Sequence, residues 1–394
     1  MFSRTIKRYM QPPFRCPGSR CSVSFAQAIL LRLCAQPFRP AFGSFHAAFA
    51  SNMSSNATQI PLKPIAGPQP LPLGTNIASL SGNSYVVDEV FRYRCERDVA
   101  IGVYRATSEG TRYVIKDIWP GQFDRLVKLN KLVEHSPHVR TAVDIIPDRQ
   151  MLVFPHRNLD LLSANPAAIP AAAKKGIIRD ALSGLAALHD KRIIHTDIKP
   201  DNIMLDYIKH PDNSHEFRNV QITDLEDAFA IPDDAPGVTG RTYGSPYWRS
   251  PESWAKACQD VSSDIFSFGL FAIRVWIDFM VLHMKGVKDA PLFEEQMKIV
   301  MPRLLIFLGG GPGEGDIEDI KEFISMHEGT PFGDYCFDVV NGSSVCPISQ
   351  WKVVAPPTPY MEPQFVDLVS RMTCMTPSRR ITAREALQHP WFAD

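Results

Sequence analysis

The spacing of hydrophobic and polar positions changes once along the chain. Short apolar and aromatic runs at 90–95, 102–107 and 112–118 are separated by turn residues, which predicts three antiparallel strands. From residue 123 to residue 133 apolar side chains recur every three or four positions, which predicts a helix. Two more runs, at 139–146 and 151–154, predict two further strands. We therefore expect ordered structure to begin near Tyr85 with a small sheet and one helix.

After Pro155 the pattern is mainly helical, with predicted helices at 171–188, 262–284, 296–308, 363–373 and 382–389. The most apolar stretch, 264–284, contains Arg274 and Asp278. Charges in the middle of a bilayer are costly, so we expect a buried helix and no membrane insertion. The predicted fold class is α+β and bilobal: a small antiparallel sheet with one helix at 85–155, then a larger, mainly helical lobe at 156–394.

The first 87 residues contain no Asp or Glu, and basic residues begin at Arg4. An acid-free, Arg-rich start is typical of mitochondrial transit peptides. A disordered tail, or translation from Met53, stays equally open. We expect residues 1–60 to be a disordered basic segment or transit peptide, and 61–84 a Pro-rich linker. The location would be mitochondrial with a transit peptide and cytoplasmic otherwise.

Overall charge is balanced, with 42 basic and 42 acidic residues, so nothing global indicates binding to nucleic acid. The eight cysteines form no CxxC pair and have no histidine at metal-ligand spacing. This pattern predicts free, buried thiols rather than a zinc site.

The strongest chemical signal is the run from His195 to Asn202, which reads His-Thr-Asp-Ile-Lys-Pro-Asp-Asn. Within it Asp197 can accept a proton from an attacking hydroxyl, and Lys199 can neutralise a transferring phosphate. Asn202 can ligate a metal ion. Phosphoryl transfer depends mainly on positioning and charge neutralisation, so these three groups must lie close together. The run resembles the catalytic loop of eukaryotic protein kinases.

Other landmarks of that family follow in the same order, from about residue 85 to residue 394. They are Val114-Ile115-Lys116, Thr223-Asp224-Leu225-Glu226, Gly244-Ser245, Ser250-Pro251-Glu252, the 264–269 segment, and Arg380-Ile381-Thr382. The resemblance implies a kinase of the serine/threonine type that uses ATP and Mg²⁺ on a protein substrate. It assigns roles as follows: catalytic, Asp197 and Lys199; ATP-binding, Lys116, Val103, Phe154 and His156; metal-binding, Asn202 and Asp224; structural, His195, Asp264, and Glu252 paired with Arg380.

The chain departs from the family in its phosphate loop, where Glu96, Asp98 and Ile101 stand at the three glycine positions. Gly102 lies one place away, and Arg97 could supply a compensating cation. Glycines there let backbone N–H groups approach phosphates.

Two further departures concern the catalytic side chains. Glu226 replaces the glycine two residues after Asp224, and Thr196 replaces the arginine before Asp197. For the carboxylate partner of Lys116, the predicted helix offers Asp124 or Glu134.

Two insertions, at 206–218 and 309–357, are predicted to be surface loops or a site for a substrate or partner. Three functions remain open. The first is an active protein kinase. The second is a pseudokinase that binds nucleotide or acts as a scaffold without turnover. The third is a small-molecule phosphotransferase, against which Ser250-Pro251-Glu252 and Arg380 argue.

Overall fold

The fold is taken from a computed structural model that describes residues 69–96, 99–284, 286–287, 290, 292–308, 316–343, 348 and 362–393, with the backbone alone at 96 and 316. The small lobe, residues 69–155, is a six-stranded antiparallel sheet in the order β1-β2-β3-β4-β6-β5. Its strands are β1 (Asn76–Ala78), β2 (Ser84–Glu96), β3 (Val99–Ser108), β4 (Thr111–Asp117), β5 (Asp144–Ile146) and β6 (Met151–Pro155). Helix α1 (Phe123–Val133) follows β4. The predicted sheet with one helix is confirmed.

The two faces of this sheet have separate roles because side chains alternate along each strand. Tyr104, Ile115 and Val153 belong to a small core on the outer face. Leu152 and Phe154 instead join the main core, which continues into the large lobe. The second face of the sheet therefore covers the space between the lobes.

The structure corrects the predicted linker at 61–84, because residues 76–78 form β1 and pair with β2. The loop after β1 is fixed by the buried carboxylate of Asp144, which accepts hydrogen bonds from Ser79 Oγ (2.6 Å) and Tyr85 Oη (3.0 Å). Burial opposes the charge of Asp144, but these hydrogen bonds outweigh it and lower the pKa to about 2. Structure thus begins before Tyr85. Residues 1–60 lie outside the described residues.

The large lobe, residues 156–393, consists mainly of helices. They are α2 (Ala171–His189), α3 (Pro251–Trp254), α4 (Val261–Ile277), α5 (Phe293–Phe307), α6 (Asp316–Ser325), α7 (Pro331–Asn341), α8 (Pro363–Met372) and α9 (Ala383–Leu387). Helix α4 is the centre of the main core, and its residues from Ser263 to Trp276 are all buried. It ends earlier than the predicted residue 284, because Asp278 adopts a left-handed conformation with φ of 58°.

Short strands line the large lobe beneath the sheet: β7 (Leu159–Asp160), β8 (Ile193–Ile194), β9 (Ile203–Lys209), β10 (His215–Ile222) and β11 (Phe229–Ala230). The insertion at 206–218 is the extended β9–β10 hairpin. The insertion at 309–357 is not simply a loop, because α6 and α7 lie within it. Residues 139–143, predicted as strand, precede the short β5.

Among the described residues, no helix combines the length and the apolar character that crossing a membrane requires. Arg274 is buried in α4 and pairs with Asp278 at its end. Of the described cysteines that are free thiols, Cys336 and Cys374 are buried as predicted, whereas Cys95 and Cys258 are exposed.

Candidate functional site

The backbone of the 195–202 loop is anchored by one buried carboxylate on α4. Asp264 accepts hydrogen bonds from the backbone N–H groups of His195 (2.7 Å) and Thr196 (2.9 Å). His189 Nε2 lies 3.1 Å from the same carboxylate. Buried N–H groups need such acceptors, because leaving one unpaired costs about 1–3 kcal/mol. Asp264 therefore fixes the start of the loop against the core helix.

The ring of His195 joins the loop to the segment that carries Asp224. Its Nδ1 accepts from the backbone N–H of Asp197 (3.3 Å), so its Nε2 carries the proton and donates to the carbonyl of Thr223 (2.9 Å). The backbone N–H of Thr223 also donates to the carbonyl of Asn202 (2.9 Å). The residue before Asp224 is therefore held from two positions of the loop.

Two of the nine non-glycine residues with positive φ in the described part of the chain belong to this site. Thr196 and Asp224 both adopt left-handed conformations, with φ of 72° and 71°. For residues other than glycine such conformations cost on the order of 1–3 kcal/mol and persist only where the surrounding structure holds them. The surrounding hydrogen bonds, including that from Thr196 Oγ1 to the carbonyl of Asp227 (3.3 Å), maintain these conformations.

The carboxylate of Asp197 is oriented by three neighbours. Lys199 Nζ lies 2.5 Å from Oδ2, Asn202 Nδ2 lies 3.3 Å from Oδ2, and the backbone N–H of Ser245 donates to Oδ1 (3.1 Å). Burial opposes the charge on Lys199, but the Asp197 carboxylate outweighs it and raises the lysine's pKa. Because the amide nitrogen of Asn202 faces Asp197, its amide oxygen is the atom left for a metal ion.

Lys116 lies at the end of β4, on the face of the sheet that covers the cleft. It pairs in register with Val103 of β3 and Leu152 of β6, so the three side chains share that face. Its Nζ donates to Asp224 Oδ1 (2.9 Å) and to Glu226 Oε1 (3.2 Å). Burial disfavours the ammonium, but the two carboxylates outweigh it and raise the pKa of Lys116.

The prediction that α1 supplies the partner of Lys116 is wrong. Asp124 is exposed at the start of the helix, and Glu134 pairs with Lys131 (2.7 Å) on its surface. The residues of α1 that line the same cavity as Lys116 are Leu126 and Asn130, and neither carries a charge. The sequence identified Glu226 only as the residue that replaces a glycine of the family. Its contact with a lysine 110 residues away gives no local signal.

The charges of Lys116, Asp224 and Glu226 interact with those of the 195–202 loop. Burial would raise the pKa of Asp224, but the positive charges of Lys116 foremost, and of Lys199, lower it. Burial raises the pKa of Glu226, and Lys116 offsets this only in part. The cleft thus brings together Lys116, Asp197, Lys199, Asn202 and Asp224, as the sequence predicted.

Of the two ATP-binding residues predicted near the end of β6, Phe154 lines the same cavity as Lys116. The ring of Phe154 is 5.8 Å from Lys116 Nζ and 5.5 Å from the guanidinium carbon of Arg140. His156 is half-buried, with its ring 6.2 Å from that of Phe91. Burial, together with the positive charge of Arg140, lowers the pKa of His156.

Arg140 is a buried cation that sequence reasoning missed. Its Nε donates to the carbonyl of Pro155 (2.8 Å), and its backbone N–H donates to the carbonyl of Ile222 (2.7 Å). The second bond reaches the large lobe, so Arg140 joins the end of β6 at Pro155 to the end of β10 at Ile222. Burial lowers its pKa to about 10. No periodic or motif signal distinguishes it from a surface arginine.

The phosphate loop is described only in part, because Arg97, Asp98 and the side chain of Glu96 lie outside the described residues. Ile101 is buried. Gly102 has a packing role: a Cβ there would lie 2.1 Å from the hydroxyl of Tyr104. Its backbone N–H donates to Asp117 Oδ2 (2.8 Å). Burial raises the pKa of Asp117 to about 6.

A buried ion pair fixes the segment beneath the catalytic loop. Arg380 Nη1 and Nη2 lie 2.6 and 2.7 Å from the two carboxylate oxygens of Glu252. The two side chains are 0% and 2% exposed. Burial opposes the charge of Glu252, but Arg380 outweighs it and lowers the pKa of the carboxyl. The pairing that the resemblance implied is present.

Comparisons with known proteins agree with this geometry. Residues 120–392 match the protein kinase domain family. The chain is 32% identical over 163 residues to serine/threonine-protein kinase pkn2 of Myxococcus xanthus, covering 39% of this chain but 19% of that protein. It is 26% identical over 313 residues to cell division control protein 2 homolog 3 of Trypanosoma brucei brucei, covering 74% and 88% of the two chains.

Among solved structures, the fold is similar to that of the yeast RNA Pol II CTD kinase CTDK-1 complex. The TM-score is 0.54 at 19% identity, and the match covers 77% of this chain and 93% of that one. At this identity the likeness concerns the fold alone, which confirms the predicted bilobal architecture. The family match extends over most of the chain, from the end of β4 to the last helical turn. This chain belongs to the protein kinase domain family.

Proposed function

We propose that the chain is an ATP- and Mg²⁺-dependent protein serine/threonine kinase. The observation that carries the proposal is the Asp197 carboxylate, held by Lys199, Asn202 and the backbone of Ser245 in the same cleft as Lys116 and Asp224. Such a cluster of charges is costly to assemble, and perturbed charged groups in a cleft are characteristic of functional sites.

In this mechanism Asp197 accepts the proton of a serine or threonine hydroxyl while the hydroxyl oxygen attacks the γ-phosphorus of ATP. The bond from that phosphorus to the bridging oxygen of ADP breaks, and Lys199 neutralises charge on the transferring group. Asn202 and Asp224 would hold Mg²⁺, which supplies charge neutralisation on the phosphates. Lys116 would bind the phosphates that remain with ADP.

The serine/threonine type is supported by Lys199, which lies two residues after Asp197 and contacts its carboxylate. The similarity to a protein named serine/threonine-protein kinase is in agreement.

A second candidate is a pseudokinase that binds nucleotide or a partner without turnover. Two observations favour it: Lys116 is engaged by two carboxylates, and Gly102 is explained by its packing against Tyr104 rather than by phosphate binding. A third candidate, transfer to a small molecule, is disfavoured by the buried Glu252–Arg380 pair, which the resemblance associates with protein substrates.

Incubation of the full chain with Mg·ATP and generic protein acceptors, beside Asp197→Asn, separates these candidates. We expect phosphoserine or phosphothreonine with the native chain and a loss of about 10²–10⁴-fold in turnover with the variant. Nucleotide binding should persist in the variant. No transfer by either protein would favour the pseudokinase, and transfer to small alcohols or amines alone would favour the third candidate.

A further inference from the structure

Lys116 has two carboxylate partners, and neither comes from helix α1. Its side chain is 15% exposed, and its ammonium contacts Asp224 and Glu226 at 2.9 and 3.2 Å. The helix offers only Leu126 and Asn130 to this cavity. The amide of Asn130 is already used, since it donates to the carbonyl of Leu126 and accepts from the backbone N–H of Ala142, both at 2.8 Å.

The two carboxylates cannot serve the same purpose if the chain binds a metal–nucleotide complex. A carboxylate that ligates a divalent cation shares its charge with that cation, so Asp224 would hold Lys116 less firmly once metal is bound. Glu226 would then be the remaining full negative charge within hydrogen-bond distance of the ammonium. An oriented lysine matters because positioning accounts for most of the catalysis in phosphoryl transfer.

We propose that Glu226 is the positioning residue for Lys116, taking the role for which the sequence had suggested a carboxylate on α1. This inference rests on the proposed function and extends it to a residue at which the family has glycine. Asp224 serves the metal ion, and Glu226 keeps the ammonium directed at the phosphates.

The backbone around Glu226 is fixed firmly enough for this role. Arg125 of α1 donates through Nη2 to the carbonyl of Glu226 (2.5 Å) and through Nη1 to that of Ala228. The carbonyl of Asp227 accepts from Thr196 Oγ1 (3.3 Å). Helix α1 therefore contacts the lysine site indirectly, through the backbone of 226–228. A helix that moves away would loosen this backbone without breaking a direct ion pair to Lys116.

The test is a double-mutant cycle in the full chain with Lys116→Met, Glu226→Gln and the combined variant. The measured quantities are KM for Mg·ATP, kcat with a protein acceptor, and the affinity for a fluorescent ATP analogue with Mg²⁺. We expect Glu226→Gln to raise KM about tenfold, as for loss of one charge-assisted hydrogen bond, with a smaller change in kcat. In the Lys116→Met background the same substitution should change KM less than twofold, because coupled residues are not additive.

Glu134→Gln is the matched control, since it makes the same chemical change on a carboxylate that pairs with Lys131. Its KM should stay within about twofold of the native value. Glu226→Asp should recover part of the loss in Glu226→Gln, which a purely structural role would not produce. Thermal melting of each variant shows whether the fold is retained.

Additive effects in the cycle, an unchanged KM in Glu226→Gln, or an equal loss in Glu134→Gln would overturn the inference while leaving the kinase proposal intact. If the native chain binds Mg·ATP but transfers no phosphate, the kinase proposal fails. The double-mutant cycle can then be evaluated with the measured affinities for the ATP analogue, and it still tests the role of Glu226.

Discussion

The two sides of the cleft differ in how far they follow the family. On the large-lobe side, the 195–202 loop is held by Asp264 and by the ring of His195, in the order that the motif predicts. On the small-lobe side, Lys116 has a new partner in Glu226, and Gly102 packs against Tyr104. The comparison teaches that a contiguous motif specifies the geometry of the loop. A lysine on a strand instead depends on distant residues and can change its partner.

The two sides of the cleft also differ in how deeply the groups that hold them are buried. The 195–202 loop is fixed by buried groups, namely the carboxylate of Asp264 on α4 and the ring of His195. The lysine site is held by partly exposed groups, since the side chains of Asp224 and Glu226 are 40% and 36% exposed. Substitutions should therefore reduce stability most on the large-lobe side and change nucleotide affinity most on the small-lobe side.

The largest expected effect comes from the buried ion pair. Arg380→Ala would leave Glu252 buried without a cation, which costs about 3–5 kcal/mol in the free energy of unfolding. Arg384→Ala removes an exposed arginine that pairs with Asp190, and should cost less than about 1 kcal/mol. Urea unfolding of both variants measures the difference. Equal losses would contradict the claim that the large-lobe side depends on its buried charges.

The next effect concerns two buried aspartates of the small lobe whose pKa values shift in opposite directions. The pKa of Asp117 is raised to about 6, so the folded state is disfavoured as pH rises through that value. The pKa of Asp144 is lowered to about 2, so its stabilisation is present at neutral pH and is lost as pH falls from about 4 to 2. Each shift corresponds to about 2–3 kcal/mol.

We therefore expect Asp117→Asn to stabilise the chain at pH 7.5 by up to about 3 kcal/mol and to have little effect at pH 4. Asp144→Asn should destabilise it at pH 7.5 by about 2 kcal/mol. Unfolding free energies of both variants across this pH range provide the check. If both substitutions changed the free energy of unfolding at pH 7.5 in the same direction, the opposite roles assigned to Asp117 and Asp144 would be refuted.

A smaller effect is expected at Arg125, which connects α1 to the backbone of 226–228. Arg125→Met removes hydrogen bonds to two carbonyls and should cost about 1–2 kcal/mol. Hydrogen exchange of residues 224–228 should accelerate, and KM for Mg·ATP should rise a few-fold. Lys128→Met, on an exposed position of the same helix, is the control. Unchanged exchange at 224–228 would argue against a link through the backbone.

Much of the fold was predictable because its elements have strong local patterns. The alternating runs of β3 and β4 and the periodic apolar residues of α1 lie close to their predicted bounds. Strand β1 was missed because three residues within a segment rich in Pro and Gly carry no periodic signal. The early end of α4 was missed because it depends on the left-handed conformation of Asp278.

The candidate site was predictable to the extent that its residues are contiguous. Asp197, Lys199 and Asn202 lie within six residues, and a tight loop necessarily brings them together. The partner of Lys116 was predicted as Asp124 or Glu134, whereas Glu226 contacts it, because how α1 packs decides which carboxylate reaches the lysine. Arg140 was missed for the same reason, because its acceptor at Pro155 is defined only in the folded chain.

Strand β1 has a practical consequence for recombinant work on this chain. A fragment that starts at Tyr85, where the sequence pattern suggests a boundary, would remove Ser79, Ser81 and Asn83, which donate hydrogen bonds to Asp144. It would also remove the strand that pairs with residues 84–86 of β2, and unpaired strand edges promote aggregation. A fragment that begins at or before residue 69 keeps β1 and the hydrogen bonds to Asp144, and should give the more soluble and protease-resistant protein.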